Sequence, residues 1–402
     1  MDQVIMNSTK ENFISLNKAK ELLGVKRESL YSYVSRKKIA TIVDPKNGKK
    51  RLYSYNDIIK LLENKKKAGA EKIAQESLMF GQPVLESNIT LIEDSILYYR
   101  GRSIKNLVEK NTFEEVASLI WTGNLSLSDN LLNIQTKPHK VTEITLPELQ
   151  KYLIQLEKEE LSSLLANDLQ SLGWKILFSL VQDVTQNYTK NKSIATKLAE
   201  YFCPTMPHAG ELINSALIII ADHELNASSF TARVVASTGA NLFQVIIGAL
   251  ATLSGYKHGG AILKVEQMMN ELSENMAIDK NLLKRKSRGD DIVGFGHNLY
   301  QKGDFRAKIL LQKIRYYYGD SKEFEIYNSI LERCRSITKQ EPTVDFALLT
   351  LASVLKANSD FGLFLFSYGR IAGWIGQAME QYQENKLIRP RAKYIGPRPV
   401  KK

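Results

Sequence analysis

The chain has 402 residues, 44% of them hydrophobic and 24% charged, which is enough apolar material for two or three compact units and argues against general disorder. Two cysteines far apart in sequence, Cys203 and Cys334, argue against a disulfide framework and for a reducing compartment. Residues 1–10 lack the basic start and apolar run of a secretory signal, so a cytoplasmic location is expected.

The net charge of +12 is unevenly placed: residues 1–67 hold 16 Lys and Arg against 7 Asp and Glu, so +9 of it lies there. This segment opens with a short helix from Lys18 to Leu23, stopped by Gly24, and a second helix from about Arg27. Next comes a β-hairpin over residues 42–53, whose Asn47-Gly48 is the strongest short turn signal and whose tip is basic. Ser54 and Asp57 fit a capping box, and Ile58, Ile59, Leu61 and Leu62 supply the buried stripe of a third helix. Helix, turn, helix and wing make a small winged helix-turn-helix module over residues 1–67, and the polar stretch 68–84 reads as a linker.

Beyond the linker, Ile89-Thr90-Leu91-Ile92 carries a strand signal, and Thr112 with Glu115 three residues later caps a helix bearing Val116, Leu119 and Ile120. Helical patterns dominate from there, and the fold class is mainly α. The most apolar run, residues 242–254, is interrupted by Gln244 and is shorter than the roughly 20 residues of a membrane span, so it reads as a core helix. No internal repeat, G-x-G-x-x-G run or P-loop is present, which weakens nucleotide-dependent readings.

Five histidines are present, and three stand in unusual contexts: His258 in Gly255-Tyr256-Lys257-His258-Gly259-Gly260, His297 in Gly294-Phe295-Gly296-His297, and His223 between Asp222 and Glu224. Glycines beside the first would let backbone approach a ligand closely and leave the imidazole exposed in a turn. Single histidines are usually structural. Here they are followed in order by Asp304 and Arg306, by Thr343-Val344-Asp345-Phe346, by Gly369-Arg370-Ile371-Ala372-Gly373-Trp374 and by Arg389-Pro390-Arg391.

Together with Leu97-Tyr98-Tyr99-Arg100-Gly101 and Ala221-Asp222-His223-Glu224-Leu225-Asn226-Ala227-Ser228, these motifs resemble the citrate synthase family over residues 85–397. The resemblance implies a large helical domain, residues 85–260 and 359–402, and a small helical domain, residues 261–358, that closes over the substrates. It implies condensation of an acyl-CoA, acetyl or propionyl, with oxaloacetate, giving citrate or 2-methylcitrate. Asp345 would be the base that takes a proton from the thioester methyl, His258 the neutral donor to the enolate oxygen and His297 the donor to the ketone oxygen. Arg306, Arg370 and Arg389 would bind the two carboxylates of oxaloacetate, with His223 as an additional ligand. Arg389 would reach the neighbouring subunit's site, making the protein a homodimer with shared active sites. No metal and no cofactor are called for, since the acyl-CoA is a co-substrate, and no membrane partner is expected.

Departures from the family pattern gather on the thioester side: Tyr256-Lys257 before His258, Ile262-Leu263 after it, and Asn298 after His297. Ser126 and Gln377 also depart, without a functional reading from sequence. The N-terminal module resembles the MerR and excisionase type through Ala19-Lys20-Glu21-Leu22-Leu23-Gly24-Val25 and Leu30-Tyr31-Ser32-Tyr33-Val34. DNA is the partner it implies, with Arg27, Tyr31 and Arg36 near a recognition helix and Lys46, Lys49, Lys50 and Arg51 on phosphates. The alternative is a transcriptional regulator that keeps a synthase-like body as a sensor of a tricarboxylate or CoA ester.

Overall fold

The computed structural model describes residues 5–6, 12–63, 85–127, 134, 138–139, 141–159, 168–358 and 360–399. The chain divides into two units, Met1–Glu86 and Ser87–Lys402. The linker expected at residues 68–84 lies outside the described residues.

In the first unit, Ser15 caps helix Leu16–Leu23 by accepting from the Lys18 amide at 3.4 Å, and Gly24 ends it in the left-handed region at φ 60°. Helix Arg27–Ser35 follows. Strands Thr41–Asp44 and Asn47–Ser54 then pair antiparallel and lead into helical residues 55–63. Short strands Ile5–Met6 and Asn12–Ile14, absent from the sequence expectation, extend this hairpin to four strands through Phe13 opposite Ser54. Ala19, Leu23, Leu30, Ile39, Tyr53 and Ile58 form a core of their own.

Two local expectations need correction. The hairpin turns at Pro45-Lys46, two residues before Asn47-Gly48, because the Pro45 ring presets the turn's φ and Asp44 Oδ1 accepts the Lys46 amide at 2.9 Å. The capping box at Ser54 is half formed: Ser54 Oγ accepts the Asp57 amide at 3.3 Å, but the Asp57 carboxylate takes the amide of Ala40 at 2.9 Å instead of turning back.

The second unit opens with an antiparallel meander, Thr90–Glu93, Ile96–Tyr99 and Arg102–Ser103, and is helical afterwards. Thr112 and Glu115 form a complete capping box on helix Phe113–Thr122. The long helix Phe361–Glu384 is buried on nearly every face, as its all-round apolar sequence requires, and is packed by helices Ala209–Ile220, Ala227–Ser237 and Leu242–Leu253. Between them run helices Ala261–Ser273, Ile278–Arg288, Phe305–Tyr318, Lys322–Thr338 and Val344–Val354. Cys203 and Cys334 are buried and unbridged, their thiols pushed up to about 11 and about 12 by burial. No described helix is long and apolar enough to cross a membrane.

Candidate active site

Helix ends and tight loops present the functional side chains. Helix Ala209–Ile220 runs out into Ala221-Asp222-His223, and Asn226 caps the next helix by accepting the amides of Ser228 and Ser229, both at 3.1 Å. His223 is buried, its Nε2 lying 2.8 Å from the Tyr300 hydroxyl. Burial first, then Arg306 and Arg370, holds its pKa well below the ordinary imidazole value, so the ring is neutral.

His258 sits in the turn after helix Leu242–Leu253. Its glycines serve packing: a Cβ on Gly259 would lie 2.8 Å from the Leu253 carbonyl oxygen, and one on Gly260 would lie 2.6 Å from that of Ser254. His258 Nε2 is 2.8 Å from Ser228 Oγ, which receives Trp374 Nε1 at 3.2 Å and lies 2.8 Å from Asn226 Oδ1. The Ser228 hydroxyl proton can serve only one of Asn226 Oδ1 and His258 Nε2, and that choice sets the His258 tautomer: with Ser228 donating to His258, the imidazole proton is on Nδ1. Burial and Arg370 lower the His258 pKa to about 4.

The loop carrying His297 is fixed by glycines in the left-handed region, Gly294 at φ 82° and Gly296 at φ 79°. It is stitched to the start of helix Val344–Val354 by amides of Thr343 and Gly296 donating to the carbonyls of Gly294 and Glu341, each at 2.9 Å. His297 Nδ1 accepts the Leu299 amide at 3.1 Å, so the neutral ring carries its proton on Nε2. Burial, then Arg306, lowers its pKa to about 4. The His223 and His297 rings stand edge to face at 5.4 Å, with Tyr300 against both.

Asp304 caps helix Phe305–Tyr318 and grips Arg306 through Nε at 3.0 Å and Nη2 at 2.9 Å, while its Oδ2 also takes the Val344 amide at 3.0 Å. Burial opposes the charge on Arg306, and Asp304 outweighs it. Asp345, in the first turn of helix Val344–Val354, accepts from Thr343 Oγ1 at 3.2 Å. Its pKa is raised by burial, with the field of Arg306 opposing. Arg370, in the middle of the long central helix, is 2% exposed, yet its Nε and Nη1 have no hydrogen-bond partner among the described residues. Burial and the like charge of Arg306 lower its pKa to about 10.

His223, His258, His297, Arg306, Arg370 and Asp345 therefore form one cluster linked by contacts and fields. Arg389 is exposed on the C-terminal segment. Tyr300, Ser228, Trp374, Thr343 and Asp222 were not singled out from sequence, although all but Tyr300 lie within the quoted motifs. Asp222 is fully buried behind His223, where it accepts from Thr90 Oγ1 at 2.6 Å and Gln377 Nε2 at 3.3 Å. The departure at Gln377 thus supplies a neutral donor to a buried carboxylate. Among the described residues no group of three or more His, Cys, Asp or Glu could hold a metal ion.

In the first unit Arg27, Tyr31, Arg36, Lys46, Lys49, Lys50 and Arg51 are all exposed. Arg27 Nε donates to the Tyr31 hydroxyl at 2.7 Å one helical turn on. Strand alternation sends Lys49 and Arg51 to one side and Lys50 to the other.

The family model described as citrate synthase, C-terminal domain, matches residues 78–172 and 179–391. The chain belongs to the citrate synthase family. It is a citrate synthase-type transferase, and the match leaves the helices and hairpin of the first unit outside it. Citrate synthase 2 of Bacillus subtilis is 30% identical over 77% of this chain and 93% of its own length. The 2-methylcitrate synthase 1 of Corynebacterium glutamicum is 29% identical over 76% of this chain and 90% of its own. The crystal structure of citrate synthase from Thermotoga maritima superposes with a TM-score of 0.67 at 27% identity, covering 80% of this chain and 96% of that one.

Proposed function

We propose that the second unit condenses an acyl-CoA, acetyl-CoA or propionyl-CoA, with oxaloacetate, releasing citrate or 2-methylcitrate and CoA. The observation that carries this reading is Arg370, a buried guanidinium with two donor nitrogens, Nε and Nη1, unspent on the described residues. Such a group awaits an anion, because leaving buried charged donors unpaired costs several kcal/mol in order of magnitude. Arg306, held by Asp304 through Nε and Nη2, keeps Nη1 for the second carboxylate, and His223 lies beside it. Two guanidiniums in one pocket suit a dianionic keto acid.

The rest of the cluster suits the chemistry. Asp345, made more basic by burial, takes a proton from the carbon next to the thioester. His258 donates to the thioester oxygen as the enolate forms, from Nδ1 in the tautomer whose Nε2 accepts the Ser228 hydroxyl. The nucleophilic carbon attacks the ketone, and His297 supplies hydrogen-bond donation and then a proton to that oxygen from Nε2. Water hydrolyses the resulting thioester and frees the CoA thiol. The acyl-CoA is a co-substrate, and no further cofactor is needed.

Arg389, exposed in this chain, serves the site of a second copy in this reading, which makes the working protein a homodimer of the cytoplasm. A pure sensor would need the arginines but not Asp345, so catalysis is the better supported reading. Mixing the protein with oxaloacetate and either acyl-CoA and following free thiol is the test: release is expected, and none with either thioester sinks the proposal. The first unit, with its exposed cations on helix and hairpin, is assigned to DNA binding. Retardation of DNA that weakens with salt and vanishes on deleting residues 1–67 is expected, and equal retardation by the truncated chain would refute it.

A further inference from the structure

Arg233, on helix Ala227–Ser237, is fully buried and belongs to no part of the cluster described above. Its guanidinium faces the last turns of the central helix Phe361–Glu384, donating from Nε to Gln381 Oε1 at 2.7 Å, from Nη1 to Glu380 Oε2 at 3.0 Å and from Nη2 to Glu384 Oε1 at 2.7 Å. Burial of a guanidinium is tolerated when its donors are matched in this way, and the matching fixes the groups that accept.

What it fixes is the root of the C-terminal segment. A guanidinium only donates, so it holds the Gln381 side chain with Oε1 towards itself and leaves Nε2 to donate to the Lys386 carbonyl at 2.9 Å. One turn beyond Arg233, the Ser237 hydroxyl donates to the Val234 carbonyl at 2.7 Å and accepts the Ile388 amide at 3.1 Å. The segment is thus pinned at residues 386 and 388, directly after Asn385 ends the central helix in the left-handed region at φ 50°. Arg389 comes next, and the ring of Pro390 restricts it to extended backbone. Beyond Asn385 the described chain forms no helix or strand, so these two tethers and the proline set the direction in which the exposed Arg389 leaves the subunit.

We infer that Gln381 and Ser237, with Arg233 behind Gln381, are positioning residues for Arg389: they hold its backbone so that its guanidinium meets oxaloacetate in the site of a second copy. The inference rests on the reading of Arg389 given above. A guanidinium fork grips a carboxylate well only when it is placed to within a fraction of an ångström, so slack at the root weakens binding without removing the charge.

Replacing Arg233 itself is a poor test, because Glu380 also accepts Ser87 Oγ at 2.8 Å and the Asn88 amide at 2.9 Å, and the fold at large would suffer. Gln381→Met keeps the volume and removes the tether at Lys386, while Ser237→Ala removes the one at Ile388. The double variant should raise the KM for oxaloacetate on the order of tenfold, the scale of one to two hydrogen bonds. It should leave the KM for the acyl-CoA unchanged and speed amide hydrogen exchange over residues 385–391. In an Arg389→Ala background the same pair should raise the KM no further, since the group it places is gone. An unchanged KM, unchanged exchange, or a rise that multiplies with that of Arg389→Ala would each overturn the inference, the last because it would make the pair merely structural. A wild-type KM in Arg389→Ala alone would refute the reading of Arg389, and the inference with it. Should the chain release no thiol, oxaloacetate affinity measured by calorimetry takes the place of KM in every comparison. Should the double variant melt too low to assay, Ser237→Ala alone carries the same test.

Discussion

At the scale of single residues, the cluster is governed by where each proton can go. Asp345 is a carboxylate made more basic by burial and restrained by Arg306, so replacing it removes the proton acceptor without touching the carboxylate clamp. Asp345→Asn should cut thiol release roughly 10²–10⁴-fold, the range of a general base, while oxaloacetate still binds. Turnover comparable to wild type would remove its assigned role. Ser228 acts through His258. Ser228→Ala should lower kcat on the order of tenfold, about one hydrogen bond's worth of orientation, with little change in the KM for oxaloacetate. A rise in KM with kcat unchanged would instead place Ser228 in substrate binding.

At the scale of elements, the site exists because helices meet at short distance. Gly373 lets the central helix Phe361–Glu384 run against Ala221 and Asp222: a Cβ there would lie 2.7 Å from Asp222 Oδ1 and would strike the Ala221 carbonyl. Gly373→Ala should therefore destabilise by about 1–3 kcal/mol through overpacking. It should also raise the KM for oxaloacetate, because the displaced strip carries His223 on one side and the same helix carries Arg370 on the other. Thermal melts and kinetics together check this, and an unchanged melting temperature would show that the helix can step back freely. The hairpin of the first unit teaches a related lesson. Asn47-Gly48 looked like the turn, but Pro45 and the Asp44 side chain settled it two residues earlier, because a preset φ and a local hydrogen bond outweigh Gly48's freedom.

At the scale of the whole molecule, the buried histidines couple folding to pH. His258 and His297 titrate near 6.5 when unfolded and about 4 when folded, so between those values the unfolded chain binds more protons. Their contribution is full above about 6.5 and lost as the pH falls toward about 4. The melting temperature should drop across that window and drop less in a His258→Asn, His297→Gln variant; coincident profiles would assign the acid sensitivity elsewhere. By itself the sequence determined the mainly helical class, the caps at Thr112 and Gly24, the buried helix at residues 242–253 and the basic N-terminal segment, because periodicity, capping and charge are local. Motif order was also enough to draw His223, His258, His297, Arg306, Asp345 and Arg370 into one hypothesis. Only the tertiary structure decided that Arg370 is buried with donors to spare, that the Leu299 amide holds the His297 proton on Nε2, and that Arg389 is exposed. The burial of Arg370 and the Trp374–Ser228 hydrogen bond, spanning 146 positions, arise from the packing of the whole unit and leave no mark at any one position.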